Sequence, residues 1–199
     1  MLKKQKKLFK IKIKVMSNLP RLKIKYNETI KKELVSELGV QNVMAIPKLT
    51  KIVVNSGLGE AKSEKGVIEE MARDFALLTG QKAVVTLTKK AISNFKIKEN
   101  MPIGLKVTLR GNMMWYFIDR LISIVIPRIK DFRGLPTRAF DGRGNYAIGI
   151  KEHTVFPEVD PTKVTKLRGL QVIICTNTGN DDQAKLLLTK LGVPFQKKR

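Results

Sequence analysis

Apolar positions recur at helical spacing at Tyr26, Ile30, Leu34, Val35 and Leu38, and Gly39 stops the run. Beyond Pro47 the period changes. Segment 49–55 predicts a strand that ends in the turn Gly57-Leu58-Gly59. Ser63 is placed to cap a helix carrying Val67, Ile68, Met71, Phe75 and Leu78, closed by Gly80. A short strand is expected over 82–87, opened by Gln81 and Lys82. Residues 88–103 are polar, basic and unpatterned, with Asn100, Pro102 and Gly104 as breakers. Segment 105–110 then alternates cleanly, and helical spacing returns over 113–126, with Pro127 expected to end it. Residues 131–145 read as a loop, and strands follow at about 146–151 and 170–176. The last helix is expected to begin at Asn180. Asp181 and Asp182 fall in its first turn, where the helix dipole favours acids, and Gly192 and Pro194 end it.

The resulting order is helix, strand, helix, strand, strand, helix, strand, strand, helix. Adjacent strand pairs argue against a purely alternating parallel fold. They favour an α+β layer: a mostly antiparallel sheet with helices packed on one face.

Composition adds the partner class. The 199 residues carry 39 Lys+Arg against 17 Asp+Glu, a net charge of +22. At 43% hydrophobic, the chain is a folded protein and not a solvated basic tail. No apolar run approaches the roughly 18–20 residues of a membrane span. Residues 1–25 hold ten cations and no acid, and residues 197–199 hold three more, which leaves +9 for residues 26–196. The body is therefore basic in its own right, and a polyanion partner is expected, nucleic acid before a membrane surface. Residues 1–22 read as a disordered basic arm, 23–196 as one RNA-binding domain and 197–199 as a basic tail.

Catalytic signals are weak. The single Cys175 excludes an intrachain disulfide and a cysteine-cluster zinc site, and its run Val172-Ile173-Ile174-Cys175 reads as buried strand. His153 is the only histidine and reads as a satisfied surface or loop side chain. The Gly57-Leu58-Gly59 turn lacks the third glycine of a dinucleotide fingerprint, since Lys62 stands there. A phosphate-substrate enzyme using this turn stays as the alternative function. Glu152, Glu158 and Asp160 cluster near two prolines and are expected to tie down neighbouring cations. No cofactor, metal or small-molecule substrate is implied.

The basic body offers more. Period 2 puts Leu105, Val107 and Leu109 on the core side and Lys106, Thr108 and Arg110 on the other, at intervals of about 7 Å. If the strands are neighbours, Asn55, Gln81, Thr108 and Arg110 share a polar platform, with Lys82 and Lys106 beside them. Such a face suits a ribose-phosphate backbone. Lys89, Lys90, Asn94, Phe95, Lys96 and Lys98 make a cationic loop with an aromatic. Arg133, Arg138 and Arg143 carry forks suited to phosphate, while Gly142 and Gly144 permit close backbone approach.

The segments MPIGLKVTLR (101–110), PRIKDFRGL (127–135), FDGRGNY (140–146) and FPE (156–158) identify a resemblance, supported by TGQK (79–82) and LRG (167–169). Over about 26–196 the chain resembles the bacterial-type large-subunit ribosomal protein family that binds 5S rRNA, ribosomal large-subunit protein five. The resemblance implies a five-stranded antiparallel sheet and a place in the central protuberance. It implies 5S rRNA, 23S-type rRNA, P-site tRNA and a small-subunit protein at an intersubunit bridge as partners, and no membrane. The family's RNA-contacting positions fall on Asn55, Gln81, Thr108 and Arg110, and its tRNA-approaching loop on about 92–102. His153 stands where the family usually has Gln, and the arm is longer and more basic than usual. The ribosome is bacterial or organellar.

Overall fold

The computed structural model describes residues 19–40, 42–62, 64 and 66–196. Of the expected arm, residues 1–18 lie outside this range, as do Ser63 and the tail 197–199. Arg21–Lys25, a π-helical turn at Tyr26–Ile30 and Lys31–Leu38 run together as helix α1. Within it Leu22 is already buried, and Arg21 pairs with Asp119 at 2.7 Å. Arg21 and Leu22 therefore lie in helix α1, where Leu22 enters the core.

Five strands form: β1 (Leu49–Gly57), β2 (Val84–Leu87), β3 (Pro102–Leu109), β4 (Tyr146–Ile150) and β5 (Leu170–Thr176); β2 starts two residues later than expected, and β3 starts three residues earlier and takes in the expected breakers Pro102 and Gly104. Every pairing is antiparallel and the spatial order is β2-β3-β1-β5-β4. Helix α2 (Val67–Thr79) follows Gly66, whose φ of 100° suits only glycine. Helix α3 runs through Gly111–Arg120, a π-helical turn at Leu121–Val125 and Ile126–Arg128. Helix α4 is Asp181–Leu191, and the Asn180 side chain caps it by accepting from the Asp182 N–H at 2.9 Å.

Pro127 does not end α3 where the sequence suggested. The π-helical turn resets the hydrogen-bond register just before it. Pro127 then occupies the opening turn of a new α-helical segment, where no N–H is required.

One apolar cluster joins Ile52 and Val54 of β1, Leu105, Val107 and Leu109 of β3, Val172 and Ile174 of β5, and Tyr146 and Ile148 of β4 with residues of all four helices. Period 2 along each strand sends these residues to one side. The helices therefore form one layer on that side, and no helix among the described residues covers the other.

His153, expected as a satisfied surface or loop side chain, lies in the connection between β4 and β5 but is fully buried. Its Nδ1 accepts the Arg168 N–H at 3.2 Å, and its Nε2 lies 3.5 Å from an Asp74 carboxylate oxygen on α2. Burial raises the Asp74 carboxyl above its ordinary range, more than the facing imidazole lowers it. Nearby, Glu70 accepts from both Thr165 donors and from Arg168 Nη1 at 3.1 Å. This cluster straps the segment before β5 onto α2. Glu158 likewise pairs with Arg120, and Asp160 with Lys163 at 3.4 Å, as expected of acids in a basic chain.

Candidate nucleic-acid interface

The uncovered side of the sheet carries a row of positions that crosses all five strands in register, with side chains on four of them. Val84 pairs with Lys106, Lys106 with Asn55, Asn55 with Gln171, and Gln171 with Gly149. At about 4.8 Å per strand the row spans roughly 20 Å. The next row reads Thr108, Val53, Ile173 and Ala147. Lys51 and Cys175 pair beyond it. The face is thus apolar at its centre and amide-, hydroxyl- and cation-bearing around it.

The sequence-predicted platform residues are largely brought together here. Lys106 is exposed, while Asn55 and Thr108 are half-buried. Gln81 and Lys82 precede β2 instead of opening it, yet they line one depression of about 270 Å³ with Val84, Lys106 and Thr108. Arg110 lies just past β3, at the cap position of α3. Its φ of −137° and ψ of 170° keep it extended, so the strand alternation carries through to its side chain. Its charge lowers the Cys175 thiol, as does that of Lys51 more strongly, while the Asp141 carboxylate raises it. Burial nonetheless leaves the Cys175 thiol above its ordinary value. Cys175 itself is half-exposed on this face and not the core residue its apolar run suggested. A run of consecutive apolar residues hides which alternate members face the helices.

Charge is distributed unevenly between the two sides. Arg120, Arg168 and Lys190 are held by acids of the helical layer and its straps. Among the described residues no ion pair engages Lys51, Lys82, Lys106 or Arg110.

The basic loop is more ordered than its lack of pattern implied. Thr88 pins its base: its N–H donates to the Met101 carbonyl at 2.9 Å, and its hydroxyl donates to Lys98 O at 2.5 Å and accepts from Met101 N at 2.8 Å. Ile92 and Ile97 bridge as in a hairpin. Phe95 is 61% exposed at the tip, and Lys89, Lys90, Asn94, Lys96 and Lys98 are exposed around it. Lys62 Nζ donates to the Phe95 carbonyl at 3.1 Å. The loop's residues are separate from the sheet row.

Loop 131–145 exposes Arg133, Arg138 and Arg143. Its glycines serve internal packing. The Asp181 carboxylate accepts from Gly142 N at 3.1 Å and Gly144 N at 2.8 Å, and Gly144, at φ 76°, leaves no room for a Cβ against Thr178. The Asp141 carboxyl is held below its ordinary range, chiefly by the Asn145 side chain. Phe140, Tyr146 and Phe195 stack together as packing anchors. Burial pushes the Tyr146 phenol up to about 12.

Gln171 and Lys51 belong to the open face, and the sequence reading missed both. Period 2 within 170–174 flags Gln171. Lys51 sits beside a register shift in β1, which obscures its side.

What these features define is a class: a basic α+β protein whose five-stranded antiparallel sheet presents a face that no helix among the described residues covers. Residues 42–98 match the family model described as ribosomal protein L5, and residues 102–195 match the model for the C-terminus of the same ribosomal family. The chain is 50% identical over 177 residues to a large ribosomal subunit protein uL5 of Clostridium acetobutylicum, covering 89% of this chain and 98% of the relative. Identity to the uL5 of a Psychrobacter species is 51%, covering 89% and 100%, and to that of a Shewanella species 48%, covering 90% and 100%. The chain belongs to the ribosomal protein L5 family, structural proteins of the large ribosomal subunit.

Proposed function

We propose that this chain binds 5S rRNA on its open sheet face and anchors it in the central protuberance. The observation that carries the proposal is the cross-sheet row of Lys106, Asn55 and Gln171, flanked by Gln81, Lys82, Thr108 and Arg110. Cations without acidic partners neutralise phosphates and release counterions, which supplies affinity. Amides and a hydroxyl fixed on a rigid sheet donate to and accept from 2′-OH groups, which selects a folded RNA over DNA. In the same proposal, loop 88–101 reaches P-site tRNA through Phe95 and its lysines. Arg133, Arg138 and Arg143 contact 23S-type rRNA phosphates, and a small-subunit protein docks at an intersubunit bridge. The mechanism is binding without turnover.

Sequencing RNA crosslinked to the protein in cells tests this. The expected reads concentrate on 5S rRNA, with crosslinked peptides spanning β1, β3 and β5. Crosslinks spread evenly over cellular RNA, or nucleotide turnover by the purified protein, would overturn the proposal.

A further inference from the structure

The turn at Gly57-Leu58-Gly59 lacks a nucleotide fingerprint, yet it borders a hollow of about 510 Å³ lined by Glu60, Lys62, Leu167, Arg168 and Gly169. Arg168 is 8% exposed, and only part of its guanidinium is engaged. Nη1 holds Glu70 at 3.1 Å, whereas the buried Nε–H has no hydrogen-bond partner among the described residues. An orphaned, buried, charged donor is costly and calls for an acceptor. Lys62 has three donors, of which one goes to the Phe95 carbonyl. One oxygen of the Glu60 carboxylate, which also lines the hollow, pairs with Lys166 at 2.6 Å. Lys62, Lys166 and Arg168 stand around this hollow with Glu60 and Glu70, and Asp74 lies within electrostatic reach of Arg168.

We infer that the hollow is a subsite for one phosphodiester group of the bound RNA, read by Lys62 and Arg168. This rests on the RNA-binding proposal above. It starts two residues past Asn55, about 7 Å along β1, so an RNA strand following that strand carries its backbone on into the hollow. The glycines fit this role. A Cβ built on Gly57 or Gly59 meets nothing within 4 Å, so the turn leaves open space where a phosphate needs it. One lysine then touches both the bound RNA and the tip of loop 88–101, joining the two RNA-facing parts of the protein.

The test uses the full chain with 5S rRNA and measures affinity against salt concentration for the wild type, Lys62→Met, Gly59→Glu and Gly59→Ala. Lys62→Met should reduce the slope of log K against log salt by about one unit, the signature of one lost phosphate contact. Gly59→Glu should weaken binding about tenfold or more at low salt, and it does not touch the Phe95 contact. Gly59→Ala should bind like the wild type. Slopes and affinities unchanged in both charge variants, beside a reduced slope in Arg110→Ala, would overturn the subsite and leave the RNA-binding proposal standing. Absence of any 5S rRNA preference in the wild type would instead remove the reading on which it rests.

Discussion

Leu109 and Arg110 are neighbours in sequence with opposite surroundings, and truncating each to alanine should give opposite phenotypes. Leu109 is fully buried on β3, opposite Ile52, inside the single apolar cluster. Removing its side chain loses the transfer free energy of three carbons and leaves a cavity under the central strands, a cost of about 2–5 kcal/mol. For a domain of this size each kcal/mol moves the melting temperature by about 2–4 °C, so Leu109→Ala should melt roughly 4–20 °C lower. Well below that midpoint it should bind RNA as the wild type does, because nothing on the open face has changed. Arg110 is exposed and makes no ion pair among the described residues. Its truncation should leave stability within about 0.5 kcal/mol. It should cost about 1–3 kcal/mol of RNA binding, roughly 5- to 150-fold in affinity, as for a charge-assisted contact. Calorimetric melting and filter binding on both variants make the comparison. If Arg110→Ala melts like Leu109→Ala, or if Leu109→Ala loses affinity while still folded, the division of β3 into a core side and an RNA side is wrong.

Trimming to residues 19–196 leaves a net charge of +12, and this body should keep its preference for 5S rRNA with lower affinity and a shallower salt slope; loss of all preference would assign specificity to the arm. Replacing residues 94–100 with a short Gly/Ser turn should leave 5S rRNA affinity within about 1 kcal/mol while weakening P-site tRNA retention on reconstituted particles; a loss confined to 5S rRNA would place this loop in the 5S site. Gly104→Ala should destabilise the sheet by about 1–3 kcal/mol, since its Cβ would meet the Ser56 carbonyl and the Thr86 hydroxyl, each at 2.8 Å; chemical denaturation reads this, and an unchanged midpoint would contradict the close β1–β3 approach. The Glu70 carboxyl is held below its ordinary value, chiefly by the Thr165 hydroxyl. A depressed carboxyl stabilises the fold above its unfolded value, and that stability is lost as pH falls through the folded one. Thr165→Val should therefore raise the Glu70 pKa, read by carbon-detected NMR titration, and move acid unfolding to higher pH.

The periodicities of the chain determined the number, order and type of its elements. The 3.6- and 2-residue repeats of buried side chains are local consequences of backbone geometry, so they survive in the sequence. Gly39, Gly80 and Gly192 stopped their helices as expected because left-handed backbone there, at φ 62°, 67° and 99°, is a local demand as well. Charge was equally legible: the surplus of Lys and Arg over acids pointed to a polyanion partner without reference to the fold. Tertiary structure alone decided which residues meet. Nothing in the spacing of Lys106, Asn55 and Gln171 says that they form one row, because strand order and register are set by long-range pairing. The burial of His153 against Asp74 and Arg168 has no local signature, since its partners come from α2 and from the segment before β5. Cys175 was misread for the same reason: four apolar residues in a row fit either face, and only the pairing with Lys51 turns it outward. The open face exists because all four helices pack on one side, and side selection is a property of the assembled core rather than of any single strand.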